Sequence, residues 1–327
     1  GKALGASMTL LAVVDPADLT LLRSAPADPA PPGSGAAGEG LYDEPARTLT
    51  EGAAPGVVPY APVTGITPSA AGAGSAPHST QVIENAVECA RMYLRAQASR
   101  VRIDGGEVDI EVAVGSPAEE IVAAADRLSV DLIAMATRRE SALARGVLGS
   151  VTDRVIHSTS IPLLVVHSES LVTFRGNDGA PGAVIVPLDG SELSERAVPV
   201  AQSIASRVGA DLLFLRAISP TYYGVEDAGV EHIASGYGMS ESRQEALSYL
   251  DSFVSAAAAE GLTAESRAAS GSAAGAIMDA ADDAGGSLIV MGTHGRSGFK
   301  RFFLGSVTDK VVRSSGHPVL VLPPGSE

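Results

Sequence analysis

The chain has 327 residues, of which 45% are hydrophobic but only 4% aromatic with no Trp, and it carries a formal net charge of -15. At roughly 150 residues per domain this length predicts two domains. Their cores must be built from Val, Ile, Leu and Ala, the composition of buried parallel strands packed against helices. The negative charge excludes DNA, RNA and anionic membrane surfaces as main partners, because each repels the protein at long range, yet a small anion in a local site is still allowed.

The single cysteine, Cys89, has no partner for an intrachain disulfide. With no signal-like N-terminus and no apolar run of about 18 residues, a soluble cytoplasmic protein is expected. The opening, GKALGASMTLLAVVDP, is followed between Ala25 and His78 by Pro, Ala, Gly and Ser with little periodicity, which predicts a long flexible insertion. Within it Gly33-Ser34-Gly35-Ala36-Ala37-Gly38 satisfies the dinucleotide fingerprint G-x-G-x-x-G, but it follows Pro31-Pro32 and neither leaves a strand nor enters a helix. It reads as linker.

Next come a strand over 108–114, a helix over 117–128, a buried strand in DLIAMAT, a loop, a helix beginning at GSVTD, and a last strand in PLLVVH. The whole series recurs. Residues 136–167 align without a gap with 292–323 at an offset of 156, Gly149 matching Gly305 and Gly115 matching Gly271. The later copy has its strand over 263–269, its helix over 273–283, then SLIVMGT, a second GSVTD helix and PVLVLP. Strands separated by helices in this way predict right-handed βαβ crossovers and a parallel sheet, an α/β fold.

The later copy also has its own opening, AVIVPLDGSELSERAVPVAQSIASRVGADLLFLRAISP, which reads as strand, turn, helix and strand. The start of the chain matches only its end, SRVGADLLFLRAISP. Because the first strand of a doubly wound sheet is central, about 25 further residues, by analogy with 182–205, are expected ahead of Gly1. Residues 1–171 are expected to form one domain, with the insertion at about 25–78, and residues 180–327 a second.

The copies differ in their glycines. MGTHGRSGFKRFFLGSVTD carries Gly292, Gly295 and Gly298 where MATRRESALARGVLGSVTD has Ala136, Arg139 and Ala142. A strand end, a glycine-bearing loop and a helix N-terminus together make an anion cradle, since glycines let the backbone approach a phosphate and helical N–H groups point at it. His294, Arg296, Lys300 and Arg301 add positive charge. The same residues are also compatible with plain turns and a capping box of Ser306 with Asp309, repeated by Ser150 and Asp153. Spacing alone leaves both readings open.

The G-x2-G-x9-G-[ST] spacing, the turn VPLDGSELSERA with Asp189, and the closing HPVLVLPP resemble the universal stress protein family, in its ATP-binding type. Two such units in tandem resemble its two-domain members. The resemblance implies five-stranded Rossmann-like sheets in the order 3-2-1-4-5, the first lacking its first strand and helix, with ATP, accompanied by Mg2+, across the carboxyl ends of strands one and four. It also implies that Asp189 contacts the adenosine part and that Ala217 offers its backbone to adenine. Gly292, His294, Gly295 and Arg296 would line the phosphates, with Gly305, Ser306 and Val307 closing the cradle. For Asp189 the residues by themselves are equally those of an Asp-Gly turn before a helix capped by Ser191.

In the first domain the corresponding residues are Ala136, Arg139, Gly149 and Ser150, and the Arg139 side chain would enter the phosphate space. That domain is expected to be degenerate, unless Arg138, Arg139 and Arg145 bind another anion or form a solvated basic face. No Walker A, H-E-x-x-H or G-x-S-x-G pattern occurs, so a dedicated hydrolase has little support and at most a weak ATPase is expected. The resemblance implies a nucleotide-dependent regulatory or stress-response role; a structural interaction module and a slow ATPase are the alternatives. The apolar last strands are expected to pair within the chain, and a homodimer is a further association open to it.

Overall fold

The computed structural model describes residues 7–18, 79–103, 107–137, 148–167, 182–218, 236–293 and 304–324. The insertion at 25–78 and the loop residues Arg138, Arg139, Ala142, Arg145, His294, Gly295, Arg296, Gly298, Lys300 and Arg301 lie outside the described residues. In chain order the elements are β1 (Met8–Val14), α1 (Ser79–Ile103), β2 (Val108–Val114), α2 (Pro117–Leu128), β3 (Ile133–Thr137), α3 (Ser150–Ser158) and β4 (Leu163–His167). The second half follows with β5 (Val184–Pro187), α4 (Glu192–Glu195), α5 (Ala197–Val208), β6 (Leu212–Ile218), α6 (Gly236–Ala259), β7 (Ala264–Ser270), α7 (Ala273–Asp283), β8 (Leu288–Gly292), α8 (Ser306–Ser314) and β9 (Val319–Leu322). The long helices α1 and α6 have no counterpart in the sequence reading.

The second half forms a parallel sheet in the order β7-β6-β5-β8-β9, which is 3-2-1-4-5 in its own numbering. Strands β5, β8 and β9, VIVP, LIVMG and VLVL, are apolar runs because helices cover both faces of the sheet there. Ile185, Leu213, Leu215, Ile289 and Met291 face α7 and α8. Val184, Val186, Leu212, Phe214, Leu288 and Val290 face α5 and α6. Burying each such side chain stabilises the fold by about 1.5–3 kcal/mol. Helix α5 presents Ala197, Val198, Ala201 and Ala205 to this second face and stops at Gly209, whose φ of 71° accommodates the left-handed cap.

The two halves share one sheet. β4 pairs antiparallel with β9, so β3-β4 extend the five strands of the second half to seven. The edge is further fixed by His167, whose Nε2 donates to the Val312 carbonyl oxygen at 2.8 Å. Arg313 on α8 binds Asp309 of its own helix and Asp153 on α3. In the first half β1 and β2 form a separate parallel pair, and among the described residues no strand lies between β1 and β3.

The expected capping boxes are corrected by the structure. The N-caps of α3 and α8 are Gly149 and Gly305, in extended conformation and without a capping side chain. Ser150 and Ser306 are one position too late: they are already helical, where a hydroxyl no longer reaches the N–H three residues on. Asp309 instead binds Arg313. The start of α8 therefore keeps first-turn N–H groups without a capping side chain.

Candidate functional site

Strand β5 delivers the chain to Leu188, Asp189 and Gly190, the last with a φ of 84° that explains the glycine of this turn. Asp189 is held firmly. Its Oδ1 accepts from the Ser191 N–H at 3.0 Å and the Ser191 hydroxyl at 2.6 Å, while the Asp189 N–H donates to Ser194 Oγ at 3.3 Å. Ser191 Oγ in turn accepts from the Ser194 N–H at 3.2 Å and caps α4, as the sequence suggests.

Strand β8 ends beside β5 at Gly292. From there the Gly305 N–H donates to the Thr293 carbonyl at 2.7 Å, and the Thr308 hydroxyl donates to the Gly292 carbonyl at 2.9 Å. These two bonds clamp the first turn of α8 onto the end of β8 across the intervening loop. Neither Gly292 nor Gly305 has positive φ. Neither position needs an unusual backbone, so Ala136 can stand at the first of them in the earlier copy without breaking the strand.

A cleft of about 320 Å³ opens between these parts, at the carboxyl ends of the strands where the sheet order reverses. Asp189, Ala217, Gly292, Gly305, Ser306 and Val307 all line it. Six residues from four separate segments thus meet at one space; His294, Gly295 and Arg296 lie outside the described residues. Sequence reasoning missed the apolar lining from Leu215, Ala273, Ile277 and Met291, and also Thr308. Only Thr308 left a signal, since it lies inside the repeated LGSVTD; the others resemble ordinary core residues.

Beside Asp189, on the α6 side, is a polar cluster that the sequence did not disclose. Tyr249 donates to Glu195 Oε1 at 2.7 Å, and the Arg216 guanidinium lies 4.7 Å from the centre of its ring. Burial, followed by the hydrogen bond to Glu195, pushes the Tyr249 phenol well above its ordinary value. It therefore stays a neutral donor. Arg216 interrupts the apolar run LLFLRAI, but nothing in the sequence shows that it pairs with a tyrosine 33 positions further on.

A more open groove of about 640 Å³ lies between α2 and α3. Glu119, Asp126, Asp153, Arg154 and His157 line it, a mixed set of charges, and it holds none of the residues predicted to contact nucleotide. In the first half Ala136, Gly149 and Ser150 occupy equivalent places, with the Gly149 N–H donating to Thr137 Oγ1 at 3.3 Å. No residue equivalent to Asp189 faces them among the described residues.

The model of the universal stress protein family matches residues 1–167 and again 182–323. The chain belongs to the universal stress protein family. Similar universal stress proteins include one from Mycolicibacterium smegmatis, 29% identical over 263 residues, covering 76% of this chain and 81% of the relative. Another, Rv2005c from Mycobacterium tuberculosis, is 28% identical over 246 residues, covering 74% and 75%. The crystal structure of a universal stress protein from Archaeoglobus fulgidus superposes with a TM-score of 0.57 at 23% identity, covering 75% of this chain and 82% of that one, a likeness of fold. Among the described residues of this universal stress protein no helix is long and apolar enough to cross a membrane.

Proposed function

We propose that the second repeat binds an adenine nucleotide, ATP, in the cleft between β5 and β8, and that its occupancy regulates a conformation or a partner contact in a cytoplasmic stress response. The observation that carries this reading is the convergence of Asp189, Ala217, Gly292, Gly305, Ser306 and Val307 on one space. The residues fit the group. Gly292 and Gly305, which have no side chains, line the cleft, as do Ser306 and Val307 in the first turn of α8, which has no capping side chain. Apolar walls at Ile277 and Met291 suit an adenine ring, while Asp189 is held where a ribose hydroxyl or exocyclic amine can donate to it.

His294, Gly295 and Arg296 complete the phosphate end in this proposal. Each charge-assisted N–H bond to phosphate contributes about 1.5–3 kcal/mol. Mg2+ would be carried mainly by phosphate oxygens and water, as is usual for this cation.

The test is a calorimetric titration of the full chain with ATP and Mg2+, in parallel with the Gly295→Arg variant, which introduces into the second repeat the residue found at Arg139 in the first. Saturable binding with one ATP per chain, lost in the variant at unchanged melting temperature, is expected. Equal affinity of parent and variant would overturn the assignment.

A further inference from the structure

The hydrogen bonds described above for Asp189 run to Ser191 and Ser194, within five residues of it, and the Ser194 hydroxyl closes the ring by donating to the Ser191 carbonyl at 2.8 Å. Such a ring keeps the shape of the turn. It does not fix where the turn sits. Helix α4, Glu192–Glu195, is a single turn, too short to be stable on its own. Among the described residues one hydrogen bond joins its side chains to a distant element, the bond from the Tyr249 hydroxyl on α6 to Glu195 Oε1.

Tyr249 is suited to act as the anchor. Phe253, one turn further along α6, meets its ring edge-on with 5.2 Å between centroids, and Phe253 packs at 5.8 Å against Phe214 of β6, which is wholly buried. The Arg216 guanidinium, also from β6, lies over the same tyrosine ring. The hydroxyl is thereby placed relative to the sheet, and it donates to a carboxylate, the stronger kind of hydrogen bond. Burial and then Glu195 raise the phenol's pKa, and the Asp189 carboxylate is close enough to add to the effect.

The first repeat has the tyrosine without this arrangement. Tyr93 stands 156 positions before Tyr249, on α1, and is 44% exposed, and strand register puts Ala12 where β6 has Arg216. The cluster belongs to the repeat that carries Asp189.

We propose that Tyr249 is a positioning residue for the cleft: through Glu195 and α4 it holds Asp189 at the adenosine end, and through the same bond nucleotide occupancy is coupled to α6. This role rests on the nucleotide reading given above. When the turn is in place for only part of the time, apparent affinity falls by that fraction. Because coupling between two sites is reciprocal, a nucleotide that holds Asp189 also steadies Tyr249.

Hydrogen exchange and calorimetry on the full chain test this with two variants. Tyr249→Phe removes the donor, whereas Glu195→Gln keeps an oxygen that accepts from Tyr249. Without ligand, the amides of Asp189–Arg196 should exchange at least about threefold faster in Tyr249→Phe while those of Ser306–Asp309 keep the parent rate, and Glu195→Gln should match the parent at both places. Titrated with ATP and Mg2+, Tyr249→Phe should bind about three- to tenfold more weakly than the parent and Glu195→Gln within about twofold of it. Saturating ATP should slow the α6 amides around Tyr249 in the parent and leave them unchanged in Tyr249→Phe. Parent-like exchange of the 189–196 turn in Tyr249→Phe would overturn the positioning role, as would an equal acceleration at the start of α8, the mark of general loosening. Equal ATP affinity of Tyr249→Phe and parent, or equal slowing of α6 in both, would overturn the coupling to the cleft. A parent that takes up no ATP would instead overturn the nucleotide reading, and exchange of the 189–196 turn in the two variants then still decides whether Tyr249 holds Asp189.

Discussion

Leu164 lies opposite Leu320 in the pairing of β4 with β9, and the two occupy the same position of the two repeats. Their neighbours pair crosswise, Leu163 with Val321 and Val165 with Val319, so a local twofold axis passes between the two leucines. The symmetry of position is not one of environment. Leu320 is 4% exposed under α5 and α6, whereas Leu164 is half-buried at the margin of the same cluster. Leu320→Ala should cost about 2–5 kcal/mol and Leu164→Ala distinctly less. Urea unfolding of both variants measures this, and equal losses would contradict the asymmetry.

Arg313 joins the halves by donating to two carboxylates, Asp309 beside it and Asp153 from α3, and the first of these bonds raises its already high pKa. At the symmetric place the first repeat has His157, which faces its own Asp153 carbonyl at 2.6 Å. These groups are partly solvated, so each pair is expected to contribute only about 0.2–1 kcal/mol. A double-mutant cycle of Arg313→Met with Asp153→Asn should give a coupling in that range that fades in 1 M NaCl. A coupling unaffected by salt would mean that packing, not charge, links α3 to α8.

Gly182 precedes β5 at a point where an added Cβ would stand 1.1 Å from the Gly286 carbonyl oxygen. Because that obstacle is backbone, no rotamer change relieves it. Gly182→Ala should destabilise the protein by roughly 1–3 kcal/mol or more, with accelerated exchange in β5 and β8. Gly261→Ala probes the other reason for glycine: nothing lies within 4 Å of its Cβ position, but its φ is 79°. A smaller loss of about 1 kcal/mol is expected there. Thermal melts of the two variants separate the effects.

Tyr249 has a raised pKa in the folded chain, chiefly through burial and then through Glu195. A group raised in this way contributes stability that is complete below its unfolded value of about 10 and is lost as pH climbs above it. Stability should therefore fall above about pH 10 in the parent and fall less steeply in Tyr249→Phe. At neutral pH that variant should be less stable by roughly 1–3 kcal/mol, since Glu195 loses a donor. Denaturant titrations across pH 8 to about 11 test both statements, and parallel curves would remove the Tyr249–Glu195 bond as the cause.

Local pattern sufficed for much of this protein. The repeat at offset 156, the apolar strands LIVMG and VLVL, the Asp-Gly turn at 189–190 and the Ser191 cap are all legible in the sequence, because each depends on residues only a few positions apart. Strand order in the second half followed from the family resemblance those motifs carry. Other features are decided only when distant segments meet. Tertiary packing set Gly305 rather than Ser306 as the cap of α8, through the bonds of Gly305 to Thr293 and of Thr308 to Gly292. It also brought Tyr249 against Glu195, which are 54 residues apart, and left Leu132 exposed where its repeat, Leu288, is buried. Two near-identical strands such as β3 and β8 have the same propensity for extended backbone; what lies on either side of them, a property of the whole sheet, decides whether that backbone and its apolar face are buried.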